Sequence, residues 1–384
     1  MMETMVAPPP SGPVPTCPPV HEFLQRKVAA GAFPSAVYAF GPAADRPAAE
    51  GAVGSMSLEP HAVAARRDAL YDLASVTKGA MTAVLAARLA DRGVVDLDQP
   101  LDEVLVELRG YAGRTPSLTS LLTHDAGLPA WAPLYRAPAQ ADAVAATIAA
   151  LPADRPAGSG ALYSCLGPIL ALIALCRVTG RDAPGLLDEE IRRPLGLRAD
   201  EMALSPLPDS LAERVAPTER GRRREAELAG PGLRSEEVAP GPDRVLCGRV
   251  HDGNAAFLGG AAGNAGLFAT AAALFRLGSA LGWSEDFLSA AARRRLARVA
   301  AVGPDGGRTF GFESALGASG PGAPLGDDAF GHVGFTGTSL WLAPAGGWVM
   351  VLLTNRVHPR WVEAPMQQWR AEFHSLCRAA LESP

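Results

Sequence analysis

The hydrophobic pattern of the chain predicts strands near both ends and helices in the middle. Four segments are apolar runs bounded by Gly, Pro or Ser, which is typical of strands: Ser35–Gly41, Ala49–Met56, Gly334–Ala343 and Trp348–Thr354. The last two flank Pro344-Ala-Gly-Gly347, so we expect them to form a hairpin. Terminal helices are predicted over Val20–Ala30 and Val362–Leu381.

The middle of the chain, from residue 75 to about residue 230, has helical periodicity instead. In its first helix the apolar positions are Val76, Ala80, Val84, Leu85 and Leu89, and the run stops at Gly93. Further helices are predicted from Leu118 to a break at Gly127, over Ala141–Leu151, from about Gly167 to Val178, and over Ala183–Gly196. The segment is therefore expected to form a mostly helical lobe.

These elements predict an α+β fold, with an antiparallel sheet flanked by the terminal helices and a mostly helical lobe inserted between its strands. Residues 1–19 are rich in proline and are predicted to be a disordered tail. Residues 20–74 and 231–384 are assigned to the sheet-containing lobe, and residues 75–230 to the helical lobe. Together the two lobes are expected to form a single domain, for which 384 residues provide a sufficient core.

Composition narrows the class of function. The net charge is -5 and the pI about 5.9, and no basic patch suggests a nucleic-acid partner. No uninterrupted apolar run is long enough to span a membrane, and no export signal is recognisable. The five cysteines are odd in number, widely spaced and free of a Cys-x-x-Cys pair. They favour free thiols in a reducing compartment, so a cytoplasmic location is expected.

The strongest chemical signal is Ser75-Val-Thr-Lys78 at the start of the first central helix. Residues three apart share a helix face, so the Lys78 amine is expected beside the Ser75 hydroxyl. The chain has 35 Lys and Arg residues, but only Lys27 and Lys78 are lysines. Arginine cannot release its proton in a protein, so a proton-accepting role explains why lysine is retained at position 78. The alternative is a helix-capping serine followed by a surface lysine.

Two other patterns have simpler interpretations. The glycine-rich stretch Leu258–Phe268 lacks the preceding strand of a nucleotide-binding loop, so its glycines are expected to allow close backbone packing. The seven histidines show no metal-binding spacing. His124 lies at a turn that ends a helix, where a structural role is favoured.

Three motifs occur in the order that is typical of penicilloyl serine hydrolases: Ser75-Val-Thr-Lys78, Tyr163-Ser-Cys165 and His332-Val-Gly334. From about Val20 to the last helix, the chain resembles the serine β-lactamase family in its class C-like and esterase branch. Further stretches carry this resemblance: Leu121–Leu128, Phe330–Thr338 and Leu353–Pro359. The resemblance implies a β-lactamase/transpeptidase-like fold.

The resemblance also implies a mechanism. Ser75 would be the acylated nucleophile, and Lys78 and Tyr163 would share proton transfer. The backbone N–H groups of Ser75 and Phe335 would form the oxyanion hole. No cofactor and no metal are implied. For Tyr163, the alternative is a core tyrosine whose hydroxyl group is satisfied.

Substrate contacts would come from His332, which would line the cleft on an edge strand, and from Gly334 and Cys165. This part of the chain departs from the family pattern. Cys165 stands where Asn is usual, and Val333 stands where a residue with a hydroxyl group is usual. Asn264 stands where related esterases often have His. The first two departures affect substrate recognition more than the nucleophile, and His332 has a structural alternative as a hydrogen-bonding residue.

The expected function is hydrolysis of a small-molecule ester, amide or lactam through an acyl-enzyme. Acyl transfer to an alcohol or amine uses the same intermediate and is not separated from hydrolysis by the sequence. A catalytically inactive binding protein on this fold is the alternative of a different class. The departures at Cys165 and Val333 predict that simple esters are better substrates than penicillins or cephalosporins.

Overall fold

The computed structural model describes residues 12–136, 141–228, 244–316 and 320–383. Its main sheet has nine antiparallel strands in the order β3-β2-β1-β12-β11-β10-β9-β8-β7, and a small second sheet has the order β4-β6-β5. The strands are β1 Ser35–Pro42, β2 Ala49–Ser57, β3 Val63–Ala64, β4 Tyr71–Asp72, β5 Met202–Leu204, β6 Leu267–Ala269, β7 Ala301–Gly303, β8 Gly306–Arg308, β9 Glu313–Ser314, β10 Phe330–Val333, β11 Ser339–Ala343 and β12 Trp348–Thr354.

Helices cover both faces of the main sheet. They are α1 Pro18–Ala29, α2 Val84–Asp91, α3 Leu118–Leu122, α4 Ala141–Ala149, α5 Leu166–Thr179, α6 Ala183–Leu187, α7 Arg193–Leu195, α8 Arg223–Leu228, α9 Gly253–Phe257, α10 Ala271–Trp283, α11 Ala290–Ala297 and α12 Met366–Glu382. Two π-helical turns, Lys78–Ala83 and Asp188–Arg192, join continuous helical segments. The predicted α+β class and the antiparallel sheet with terminal helices are confirmed.

The central strands are buried on both faces because each face packs against a different layer. Along β1, Ala36 and Tyr38 belong to the core under α1 and α12, whereas Val37 and Ala39 belong to the core on the other side. Alternate residues of a strand point to opposite faces, which explains this division. The result is a rigid sheet whose strand ends can hold loops in fixed positions.

One predicted strand, Gly334–Ala343, is wrong in its bounds. In the structure β10 ends at Val333 and β11 begins at Ser339, and residues 334–338 form the turn between them. The apolar pattern of the segment conceals this turn because Gly334, Phe335 and Gly337 fit either conformation. The turn matters for the site described below.

The structure describes only part of the predicted tail and does not include the lobe boundary predicted at residue 231. Residues 1–11 of the predicted tail, and the boundary at residue 231, lie outside the described residues. Helix α1 already includes Pro18 and Pro19, which the sequence assigned to the tail. The carbonyl oxygen of Pro15 accepts a hydrogen bond from the Glu50 N–H at 3.0 Å. Residues before α1 are thus attached to β2.

No helix within the described residues is long and apolar enough to cross a membrane.

Candidate active site

A strained connection places Ser75 at the start of the central helix. Strand β4 ends at Asp72, and the next residue but one, Ala74, has a φ of +46°. Non-glycine residues adopt this left-handed conformation only where surrounding contacts enforce it. Here the Ala74 N–H donates a hydrogen bond to Asp72 Oδ1 at 2.9 Å, and Asp72 Oδ2 accepts one from the His251 N–H at 2.7 Å. The buried Asp72 carboxyl therefore holds the bend that presents Ser75.

The Lys78 amine lies beside the Ser75 hydroxyl. Lys78 Nζ is 2.9 Å from Ser75 Oγ and 3.2 Å from the carbonyl oxygen of Asn264. The lysine side chain is only 1% exposed, so it is not the surface lysine of the simpler interpretation. Gly79, the next residue, has no room for a side chain because a Cβ would collide with the Phe312 ring. The helix therefore packs closely at this point and buries Lys78.

Tyr163 comes from a loop nearly 90 positions further along the chain. The Lys78 Nζ atom lies 5.1 Å from the centre of the Tyr163 ring. His124 holds this loop on both sides of the tyrosine, because its carbonyl oxygen accepts the Leu162 N–H at 2.9 Å and its Nδ1 accepts the Ser164 N–H at 3.1 Å. The structural role expected for His124 is confirmed, and the segment that it supports carries Tyr163.

Ser75, Lys78 and Tyr163 form one electrostatic unit. Burial raises the pKa of the Tyr163 hydroxyl, although Lys78 and Ser75 lower it through charge and hydrogen bonding. Burial by itself lowers the pKa of Lys78, but negative charge on Cys165 and Tyr163 raises it, and the net direction is upward. The two groups titrate as a coupled pair. At neutral pH Tyr163 is therefore a neutral phenol beside the Lys78 amine.

The turn after β10 is fastened to the residues that precede Ser75. The Thr336 hydroxyl donates to the carbonyl oxygen of Asp72 at 2.8 Å, and the Thr338 hydroxyl donates to that of Leu73 at 3.0 Å. Gly334 lies at the contact, where a Cβ would approach the Leu73 oxygen to 2.5 Å and collide with the Thr338 hydroxyl. Only glycine fits there. Gly334 therefore permits two distant segments to meet rather than supplying a side chain.

Two backbone N–H groups are available at this junction. Among the hydrogen bonds of the described residues, none has the N–H of Ser75 or of Phe335 as its donor. The turn that carries Phe335 is held against Leu73, two residues before Ser75. Free N–H groups on two adjoining segments are the feature required of an oxyanion hole.

His332 differs from the sequence prediction in its position. Strand β10 is not an edge strand, because β9 pairs with it at Phe330 and Gly331. The His332 ring is 1% exposed, and its Nδ1 contacts the carbonyl oxygen of Val333 at 2.8 Å. Burial, followed by the charge of Lys78, holds its pKa well below the ordinary value. The ring is therefore neutral, and its centre lies 6.1 Å from that of Tyr163.

The two departures from the family motifs, Cys165 and Val333, both follow Tyr163 in the chain and differ in environment. Cys165 precedes α5, and its N–H donates to the carbonyl oxygen of Ala130 at 2.8 Å. Burial raises the pKa of its thiol, while Lys78 lowers it, so the group is neutral at pH 7. Val333 is half-buried at the end of β10. Neither side chain supplies a strong hydrogen-bond donor.

The glycine-rich segment packs closely against neighbouring backbone, as predicted, and it also contacts the central helix. Thr82 donates its hydroxyl to the carbonyl oxygen of Gly263 at 2.7 Å, and a Cβ at Gly263 would overlap the Pro168 carbonyl. The neighbouring Asn264 is 1% exposed, and neither atom of its amide has a hydrogen-bond partner in the described part of the chain. The segment thus positions the carbonyl group that Lys78 contacts.

A buried ion pair near Tyr163 was not identified from the sequence. The Arg308 guanidinium lies 5.0 Å from the centre of the Tyr163 ring, and its Nη1 is 3.5 Å from Glu313 Oε1. Arg308 also lowers the pKa of His124. No motif surrounds either residue, and only the β8–β9 pairing brings them together.

Comparison with known proteins agrees with this geometry. A family model described as Beta-lactamase matches residues 22–373. Among curated proteins, a putative D-alanyl-D-alanine carboxypeptidase of Escherichia coli strain K12 is 27% identical, with coverage of 79% of this chain and 73% of that protein. Esterase EstB of Burkholderia gladioli is 28% identical, with coverage of 76% and 79%.

Among solved structures, a penicillin-binding protein homologue from Caulobacter crescentus superposes with a TM-score of 0.73 at 25% identity, and covers 94% of this chain and 96% of its own. The match therefore extends over nearly the whole of both chains. The resemblance inferred from the motifs is confirmed, and the chain belongs to the β-lactamase family.

Proposed function

We propose that this β-lactamase-family hydrolase is a serine hydrolase that forms an acyl-enzyme on Ser75, and that it prefers esters to β-lactams. The observation that carries the proposal is the 2.9 Å contact between Lys78 Nζ and Ser75 Oγ in a buried setting. A serine hydroxyl becomes an effective nucleophile only when a neighbouring group accepts its proton. Lys78 and Tyr163 act on each other at this position, and the Cys165 thiol is coupled to both.

In the proposed reaction, Ser75 Oγ attacks the carbonyl carbon of the substrate, and its proton passes to the Lys78–Tyr163 pair. The pair accepts this proton in its form with one proton fewer, which it reaches by release of a proton to solvent. The N–H groups of Ser75 and Phe335 stabilise the oxygen that becomes negative, at roughly 3 kcal/mol for each donor. The same pair then protonates the leaving alcohol as the tetrahedral intermediate collapses.

In deacylation the same Lys78–Tyr163 pair transfers the proton. A water molecule gives its proton to the Lys78–Tyr163 pair and attacks the acyl group on Ser75. The acid product leaves, and the serine oxygen regains its proton. An alcohol or amine that replaces this water would give acyl transfer, which is the second candidate function and needs no further residue.

The preference for esters rests on the substrate-binding side of the site. A β-lactam presents a carboxylate, and hydrogen bonds to charged groups contribute roughly 1.5–3 kcal/mol each. His332 is buried and neutral, Val333 has no donor, and the thiol of Cys165 is a weak one. Loss of one or two such contacts weakens binding by about ten- to ten-thousandfold. An ester without a carboxylate needs only the nucleophile, its base and the oxyanion hole.

We therefore expect kcat/KM for short-chain p-nitrophenyl esters to exceed that for nitrocefin when both are measured on one enzyme preparation. Ser75→Ala protein serves as the background control for each substrate. The variant Val333→Thr restores a hydroxyl group at the end of β10 and should shift the ratio toward nitrocefin. A clear preference of the unaltered enzyme for nitrocefin would show that other residues supply the carboxylate contacts.

A direct chemical test distinguishes the proposed enzyme from an inactive binding protein. A fluorophosphonate probe labels only an activated serine, and mass spectrometry of the digested protein locates the adduct. The proposal requires the adduct on the peptide that contains Ser75. Intact protein without any adduct would favour the binding protein, and competition by added alcohol during ester turnover would reveal acyl transfer.

We further propose a reducing, cytoplasmic environment, with a small-molecule ester, amide or lactam as the substrate. Support comes from the five cysteines, each of which is a free thiol in the structure. A native disulfide typically contributes about 2–5 kcal/mol, so its reduction would lower Tm by several degrees. We expect Tm to be unchanged by dithiothreitol. A large decrease would contradict the proposed compartment.

A further inference from the structure

The C-terminal helix α12 carries a buried arginine that has no carboxylate partner among its hydrogen bonds. Arg370 is 3% exposed. Within the described residues its guanidinium donates to the side-chain oxygen of Gln367 at 2.9 Å and to two backbone carbonyl groups, and its Nε has no partner. Burial of a charge costs free energy unless its setting compensates for it. The two carbonyl groups that it binds therefore indicate the role of the Arg370 charge.

Both carbonyl groups belong to the turn that follows β10. Arg370 Nη2 lies 2.7 Å from the oxygen of Gly334 and 3.1 Å from that of Thr338. These two residues also close the turn, because the Gly334 N–H donates to the Thr338 oxygen at 2.8 Å. One guanidinium nitrogen thus clamps the first and last residues of the turn.

The Gly334 carbonyl and the Phe335 N–H belong to one planar peptide unit, in which they point in opposite directions. A cation that binds the oxygen draws electron density toward it and leaves the N–H more positive. Hydrogen bonds in a chain strengthen one another in this way, by about 10–30% per bond. The N–H affected is the one proposed as a donor of the oxyanion hole.

The next peptide unit is held by a second arginine. Arg356 Nε donates to the carbonyl oxygen of Phe335 at 2.8 Å, and its guanidinium lies 5.2 Å from the centre of the Phe335 ring. Rotation of the Phe335 N–H away from the site would break the hydrogen bond from Arg370 to the Gly334 oxygen and that from Arg356 to the Phe335 oxygen. Burial, followed by Arg356, lowers the pKa of Arg370, whereas Glu313 raises it, and a guanidinium keeps its proton in a protein. Arg370 is therefore charged at neutral pH.

We infer that Arg370 is a positioning residue of the oxyanion hole, which fixes and polarises the Gly334–Phe335 peptide so that its N–H stabilises the tetrahedral intermediate. This inference rests on the proposed function. Because the negative charge develops only in the transition state, loss of the guanidinium lowers kcat and leaves KM nearly unchanged. A residue that merely stabilised the fold would change Tm without this division between kcat and KM.

The experiment compares Arg370→Gln and Arg370→Lys with Arg378→Gln. Arg378 lies on the same helix but is exposed, and it contacts Glu382 and the carbonyl of Pro324. For a p-nitrophenyl ester at pH 7, we expect Arg370→Gln to lower kcat by about ten- to a hundredfold, less than removal of a direct oxyanion donor. KM should stay within about twofold, and Arg378→Gln should match the unaltered enzyme.

Two further measurements separate electrostatics from damage to the fold. Affinity for a boronic acid, whose serine adduct is tetrahedral and anionic, should fall in Arg370→Gln by about the same factor as kcat. Arg370→Lys should recover most of the activity at pH 7 and lose it as the pH rises, because burial lowers the pKa of an amine. The unaltered enzyme should lack this loss. Unchanged kcat and boronic acid affinity in Arg370→Gln would overturn the inference, as would a rise in KM that accounts for the lost efficiency.

Fluorophosphonate labelling distinguishes this failure from failure of the proposed function. If the unaltered protein acquires the adduct on Ser75, and Arg370→Gln acquires it at the same rate, only the role of Arg370 is wrong. If the unaltered protein acquires no adduct on Ser75, the serine mechanism itself is wrong, and the inference falls with it.

Discussion

Replacement of Ser75 by alanine is expected to abolish turnover while the protein stays folded. The Ser75 oxygen is the only non-hydrogen atom removed, and it lies 2.9 Å from Lys78 Nζ. The bend before it is held by Asp72 and Ala74 and does not depend on the hydroxyl. Loss of the nucleophile in serine hydrolases costs on the order of 10⁴-fold or more in kcat. The measurement is kcat for a p-nitrophenyl ester, with Tm as the test of folding.

Ser375→Ala is a matched control for this experiment. Ser375 is exposed on α12, and its hydroxyl donates to the carbonyl oxygen of Ala371. We expect this variant to keep the activity and the Tm of the unaltered protein. Retention of normal turnover in Ser75→Ala would exclude the acyl-enzyme on Ser75, because no other atom in the contact could replace the oxygen.

Replacement of Lys78 by arginine is expected to reduce acylation by about 10²–10⁴-fold, which is the usual contribution of a positioned acid–base group. The charge is kept, but a guanidinium does not release its proton in a protein. It also has to fit a position that is 1% exposed and lies 3.2 Å from the Asn264 carbonyl oxygen. The rate of the acylation burst, measured by stopped flow, reports this step directly.

The chain supplies its own control for that substitution. Lys27, the only other lysine, forms a partly exposed ion pair with Glu372 at 3.2 Å on the far helices α1 and α12. Lys27→Arg makes the same chemical change away from the site and should leave the burst rate unaltered. If Lys78→Arg retained a burst rate close to that of Lys27→Arg, Lys78 would act only as a fixed charge.

The protonation of the Lys78–Tyr163 pair predicts how kcat/KM changes with pH and how Tyr163→Phe alters that change. Since the pKa of each group is raised, the reactive form, with one proton fewer, becomes more populated as the pH increases. The value of kcat/KM should therefore rise above neutral pH. In Tyr163→Phe, kcat/KM should be strongly reduced. Its rise should also occur at a different pH, because Lys78 titrates without its partner.

The sequence predicted the features of the site that depend on local geometry. The spacing of Ser75 and Lys78 places their side chains on one helix face, and the structure has them in contact. The stop at Gly93 was also identified correctly, since α2 ends at Asp91 and Gly93 has a positive φ. The bounds of the strand after Gly334 were not, because the five residues of the turn have the composition of a strand.

Other features required the complete fold. Phe335 approaches Ser75 because hydroxyl groups of Thr336 and Thr338 bind carbonyl groups more than 260 positions earlier in the chain. His332 was expected on an edge strand, but pairing with β9 places β10 inside the sheet. Burial then makes its ring neutral, which no motif encodes.

The sequence by itself therefore determined the α+β class and the contact between Lys78 and Ser75, because each follows from periodicity or spacing within a short segment. The tertiary structure alone decided the protonation of the Lys78–Tyr163 pair and the contacts of Arg370 with the turn after β10. The physical reason is that burial and charge depend on which distant segments pack together. Local pattern specifies which side chains a helix or strand presents, but not what surrounds them.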